Sequence, residues 1–108
     1  MPLEDFMMPG ESIRYSSPDV VDYQGSLYTF MITDRRVLWH RQKGLLFKKD
    51  NVISENIKDI VDMSYDEKGL VSKKGIVKLT TDRKKMEFSG KKDSIMEIFK
   101  ELQTINSS

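Results

Sequence analysis

The chain has 108 residues, 38% hydrophobic and 32% charged, with a formal net charge of +1 and no cysteine. That length supports one core rather than two, and the absence of thiols excludes disulfides and thiolate metal sites. No apolar run approaches the roughly 18 residues of a bilayer span, and the acidic start Met1-Pro2-Leu3-Glu4-Asp5 lacks the basic region of a usual secretory signal, so a cytoplasmic chain is expected.

Residues 1 to 10 show no period and end in Pro9-Gly10, which reads as an arm ahead of the domain. Glu11 to Ser16 alternates, with Ile13 and Tyr15 on one side, and predicts a first strand. Ser16-Ser17-Pro18-Asp19 is turn chemistry. Val20 to Tyr23 is a short apolar lead, and Gly25 sits where a bulge or a close backbone approach is expected. Ser26 to Thr33 is rich in aromatic and β-branched residues, Asp34 starts a tight polar turn, and Arg36 to Arg41 resumes the strand pattern.

Gln42-Lys43-Gly44 predicts the next turn and Leu45 to Lys49 an extended segment that Asp50-Asn51 breaks. Ile57 to Tyr65 predicts a strand, and Asp66-Glu67-Lys68-Gly69 a hairpin turn. Leu70 to Lys73, Gly75 to Thr81 and Lys85 to Phe88 supply further strands, separated by turns at Lys74-Gly75 and Asp82-Arg83. The last segment changes period. Ile95, Ile98, Phe99, Leu102 and Ile105 follow the i, i+3, i+4, i+7 spacing of an amphipathic helix over about 91–104, with Ser94 and Glu97 matching a capping box. Residues 106–108 read as a frayed tail.

Tyr28-x-x-x-x-Thr33-Asp34-x-Arg36-Val37-Leu38-Trp39, then Ile57 to Val61 and the closing helix, resemble small prokaryotic pleckstrin-homology-like domains of the GRAM type. The likeness covers about residues 10 to 105, and the domain is read as residues 11–105. It implies an all-β fold with one C-terminal helix: a bent, seven-stranded antiparallel barrel of two sheets capped by that helix. It also implies a structural role for Thr33, Asp34 and Arg36. Within the wider superfamily, many domains bind phosphoinositide headgroups through basic residues around the first hairpin loop. Here that stretch carries Asp19 and Asp22 and no base, so that site does not carry over.

Catalytic chemistry has little to build on. His40 is the only histidine and follows Trp39 in a strand, so the two face opposite ways. With no second histidine and no cysteine, neither a nucleophile–base pair nor a transition-metal cluster is readily assembled. Gly69, Gly75 and Gly90 lack phosphate-loop spacing. No enzyme activity, cofactor or metal is therefore expected.

Binding remains, and the charge pattern suggests where. Residues 1 to 22 are acidic, whereas 68 to 92 are rich in lysine. Arg41, Lys43, Lys48, Lys49, Lys73, Lys74, Arg83, Lys84 and Lys85 are the candidate anion-binding residues, against the plain alternative of solvated strand ends. Phe6, Met7 and Met8 are candidates for partner contact or for packing back on the barrel. Nucleic acid is disfavoured, because an isoelectric point near 7.9 is far from strongly basic. The leading expectation is a scaffold acting through protein association or self-association, at an open sheet edge or in the groove between barrel and helix. Peripheral attachment to an anionic membrane through basic loops is the second.

Overall fold

The computed structural model describes residues 6–43, 49–71 and 73–106. Its elements in chain order are β1 (Ile13–Ser16), β2 (Val21–Tyr23), β3 (Ser26–Thr33), β4 (Arg36–Lys43), β5 (Lys49–Asn56), β6 (Ile60–Lys68), β7 (Lys74–Thr81), β8 (Lys85–Lys91) and α1 (Lys92–Asn106). The strands lie in the order β5-β4-β3-β2-β8-β7-β6, with β1 beside β3. All pairings are antiparallel.

Strand β3 is the pivot. Its first half pairs β2 through Val21↔Tyr28 and its second half pairs β1 through Ile13↔Thr33, while β2 hands on to β8 through Tyr23↔Phe88. The sheet thus bends into two halves around one core. It is not closed, because β5 and β6 stand at opposite ends of the strand order and do not pair.

Alternation along each strand builds the core. Tyr28, Phe30 and Ile32 of β3, Val37 and Trp39 of β4, Val77 and Leu79 of β7, and Met86 and Phe88 of β8 meet inside. Tyr23 stacks on Trp39 at 4.7 Å between ring centroids, and Phe30 on Phe88 at 4.8 Å. Offset ring packing of this kind adds to the gain from burial alone. Ile95, Ile98 and Leu102 bring the buried stripe of α1 onto this core. The helix comes close because Gly75 and Gly90 are register partners on β7 and β8. A Cβ at Gly75 would stand 2.7 Å from the Cβ of Ile95.

Two turns share one device. Thr33 Oγ1 accepts the backbone N–H groups of Arg35 and Arg36 at 3.1 and 3.0 Å. Thr81 Oγ1 accepts those of Arg83 and Lys84, each at 3.3 Å. Both turns read Thr-Asp-Arg in the sequence, a repetition that composition does not reveal. Each fourth residue then finds a carboxylate: Arg36 pairs with Glu11, and Lys84 with Glu55 at 2.5 Å.

The structure corrects several sequence expectations. Among the described residues there are eight strands rather than seven, since Val21–Tyr23 is a strand in its own right. Gly25 makes no bulge: Gln24 and Gly25 have φ of 55° and 80° and form the two-residue hairpin turn that joins Tyr23 to Ser26. Asp50 and Asn51 do not break a strand but lie inside β5. Their turn-forming side chains are engaged across the sheet, Asp50 with His40 at 2.8 Å and Asn51 with the Tyr28 hydroxyl at 3.3 Å.

Residues Ile57–Asp59 form a single 3-10 turn, so β6 starts at Ile60 and runs through Asp66, Glu67 and Lys68, where a turn is expected. Lys74 and Gly75 are paired strand residues, and β8 continues past Phe88 to Lys91. Leu70, Val71 and Lys73 form no strand and belong to the β6–β7 loop, while Ser72 lies outside the described residues. Ser94 does not cap the helix, which begins at Lys92; its hydroxyl donates to Asp19 Oδ2 at 2.5 Å. The expected extended segment Leu45–Lys49 falls, apart from Lys49, outside the described residues.

Candidate functional site

Among the described residues no group of three His, Cys, Asp or Glu side chains is placed to hold a metal ion. His40 lies on the outer face of β4 and holds Asp50, whose side chain is 3% exposed. The hydrogen bond from His40 keeps that carboxyl below its usual range. This pair ties β4 to β5. Tyr23, Tyr28 and Trp39 are buried, so they offer no stacking platform for bases.

The candidate cations fall in three places. Arg41 lies over the Tyr28 ring at 5.7 Å, and the Lys43 and Lys49 backbones pair at the end of the β4–β5 hairpin. Lys48 lies outside the described residues. Arg83, Lys84 and Lys85 surround the β7–β8 turn, where Lys84 is committed to Glu55, a hydrogen bond that raises its pKa. Lys73 and Lys74 sit at the other end of β7. Eight residues of strand separate these last two groups by about 25 Å, so they form separate surfaces.

The end that holds Lys73 and Lys74 has a particular geometry. Register places Lys68 opposite Lys74 on β6 and β7, and Lys74 opposite Lys91 on β8. Three ammonium groups thus stand in one row across three adjacent strands, an arrangement that costs stability through like-charge repulsion. Lys91 is relieved by Asp19 at 3.6 Å, and neighbouring Lys92 by Glu67 at 3.7 Å. Lys68, Lys73 and Lys74 form no ion pair with a described residue. Immediately beyond the row the chain reverses at Gly69, whose φ of +105° favours glycine, and Leu70 and Val71 follow, both 100% exposed.

An apolar tip ringed by unneutralised lysines is therefore the most distinctive exposed feature. Of these residues the sequence reading marked Lys73 and Lys74 as anion-binding candidates, placed Lys68 and Lys91 in the lysine-rich stretch 68 to 92, and missed the exposed pair Leu70 and Val71. The signal was present as Lys68-Gly69-Leu70-Val71 followed by Lys73-Lys74, but reading Leu70 to Lys73 as a strand concealed it. Asp19, in the expected acidic loop, is occupied: the Ser94 hydroxyl and the Lys91 charge hold its carboxyl below the usual range. Phe6 gives its carbonyl to the Arg36 guanidinium, Met7 is half-buried, and Met8 donates its N–H to Glu11 Oε1 at 2.9 Å.

No protein-family model and no curated protein matches the sequence. Solved structures do share its fold. A pleckstrin-homology domain from Shewanella amazonensis SB2B superposes with a TM-score of 0.71 at 17% identity, covering 98% of this chain and 93% of that one. A DUF1696 family protein with a pleckstrin-homology domain from Shewanella loihica PV-4 gives 0.65 at 18% identity, covering 96% and 86%. The chain thus has the fold of a small prokaryotic pleckstrin-homology-like domain, as its hairpin and terminal helix lead one to expect.

Proposed function

We propose that this chain is a non-catalytic binding module that docks peripherally on anionic membrane through its β6–β7 loop. The observation that carries this reading is the pair Leu70 and Val71, wholly exposed at a loop tip beside Lys68, Lys73 and Lys74. Exposed apolar side chains are ordinary when single. Two adjacent at a tip, with cations behind them, suit insertion below lipid headgroups.

Magnitudes set the character of the attachment. Each lysine near an acidic leaflet contributes about 1 kcal/mol. Burying a Leu or Val side chain completely contributes about 1.5–3 kcal/mol. With the apolar pair only partly inserted, the whole comes to roughly 6 kcal/mol, which makes binding weak, reversible and sensitive to salt.

Co-sedimentation with phosphatidylserine-containing and pure phosphatidylcholine vesicles, at low and high salt, tests it. The protein should pellet with the acidic vesicles at low salt and be released by high salt, and L70S/V71S should abolish pelleting. Equal binding to both vesicle types, or full binding by the double variant, would contradict it.

A further inference from the structure

At the other end of α1 lies a cleft of about 610 Å³ with a different chemistry. Met8, Ile57 and Ile105 give it an apolar floor, drawn from the arm before β1, the 3-10 turn and the last turn of the helix. Arg14, Arg35 and Lys58 stand around its rim, all exposed and none in an ion pair with a described residue. The carboxylate that also lines it, Asp34, is anchored: its Oδ1 accepts the Ser12 N–H at 3.1 Å. The Thr33-Asp34-Arg35-Arg36 turn uses its arginines for opposite ends. Arg36 is spent on Glu11, and Arg35 is left to the cleft.

Three cations against the single Asp34 carboxylate leave a net positive charge beside the apolar side chains, which selects a ligand with negative charges and a small apolar anchor. A long-chain fatty acid needs an enclosed apolar tunnel, which three partly covered side chains do not make. A single inorganic anion would leave the floor unused. We infer that this cleft receives a short acidic segment of a partner protein, one that sets carboxylates beside one or two apolar side chains. Ion pairs at the rim would fix its register, and the floor would take the anchor.

The cleft and the proposed membrane tip sit at opposite ends of the helix. Lys92 and Ile95 adjoin the β6–β7 end, while Ile105 and Asn106 line the cleft. The fifteen residues of α1 span roughly 20 Å, so a bilayer at one end leaves the other open. The domain would then hold a partner at the membrane.

Fluorescence anisotropy with a short labelled peptide alternating glutamate and leucine tests this, with a lysine–leucine counterpart as control. The acidic peptide should bind in a salt-sensitive manner and the basic one should not. Each of R14S, R35S and K58S should weaken binding roughly two- to fivefold, the range for exposed ion pairs, and the triple variant by more than tenfold. L70S/V71S should leave peptide affinity unchanged, and the triple variant should still pellet with acidic vesicles. No binding of the acidic peptide, or binding that survives the triple variant, overturns the inference. So does displacement of the peptide by low concentrations of inorganic phosphate, which would make this a simple anion hole. If the protein sediments as an oligomer that the triple variant dissociates, the occupant is a second copy and the inference fails.

Discussion

Arg36 grips Glu11 with two nitrogens, Nε to Oε2 at 2.9 Å and a terminal guanidinium nitrogen to Oε1 at 3.0 Å. The same carboxylate accepts the Thr33 hydroxyl at 2.6 Å. Its side chain is fully buried, so one ion pair locks the segment before β1 onto the β3–β4 turn. Burial alone would push the carboxyl up, but hydrogen bonds from Arg36, Thr33 and the Met8 amide, with the Arg36 charge, hold it at about 2.

Removing one partner of such a pair strands the other charge, so E11A or R36A should cost about 3–5 kcal/mol in urea unfolding. Because the folded carboxyl titrates below its value of 4.5 in the unfolded chain, its contribution is complete above that pH. It is lost as pH falls from about 4.5 towards 2. Wild-type stability should therefore decline across that interval, and E11Q should flatten the decline. An unchanged acid profile in E11Q would show that the pair does not govern acid stability.

The crossing of α1 over the sheet rests on the absence of a side chain at Gly75. A methyl there meets the branched Cβ of Ile95, which is fixed to the helix backbone and cannot swing aside. G75A should destabilise by about 1–3 kcal/mol through overpacking. At Gly90 the nearest atoms are 3.4 Å away, one of them the flexible end of Ile95, so G90A should cost clearly less. Thermal melts of the two variants provide the comparison, and equal shifts would argue against this packing.

The alkaline limb has its own origin. Burial, and then the hydrogen bond that Tyr65 donates to Glu67, raise the Tyr65 phenol to about 12. Burial and the nearby Glu97 carboxylate raise Tyr15 equally. Both phenols ionise near 10 once unfolded, so the folded state retains protons that the unfolded state releases, and stability should fall as pH rises from about 10 to 12. Absorbance at the tyrosinate band should show these two titrating late and together with unfolding. Both rings are partly buried against the core, and their ionisation near pH 10 in the folded protein would contradict this account.

Leu70 and Val71 touch little, so the L70S/V71S double variant should leave the melting temperature within about 2 °C of wild type, as expected for a surface change of a few tenths of a kcal/mol. A large loss of stability would mean that these side chains serve the fold rather than a ligand.

Much of the fold was legible. The period of two from Ser26 to Trp39 and the period near 3.6 from Ile95 to Leu102 each report one buried face, and the core uses both. The stretch from Asp50 to Gly75 was not, because side chains that favour turns, those of Asp50 and Asn51, are satisfied across the sheet by His40 and Tyr28. Apolar residues at 70 and 71 imitate a strand, and only the register of Lys68 with Lys74 shows that the chain has already turned. The cleft was less legible still. Arg14, Arg35 and Lys58 come from three separate segments, and no linear pattern joins them. The repeated Thr-Asp-Arg turns were readable in principle, since Thr33 and Thr81 do the same work.

Depth measurement at the loop tip tests membrane docking most directly. The native Trp39 is fully buried, so L70W adds an indole that reports separately on the β6–β7 loop. On addition of phosphatidylserine vesicles with brominated acyl chains, its emission should shift to the blue and be quenched, and high salt should reverse both changes. An L70W spectrum that stays that of a water-exposed indole at every lipid concentration would contradict the account.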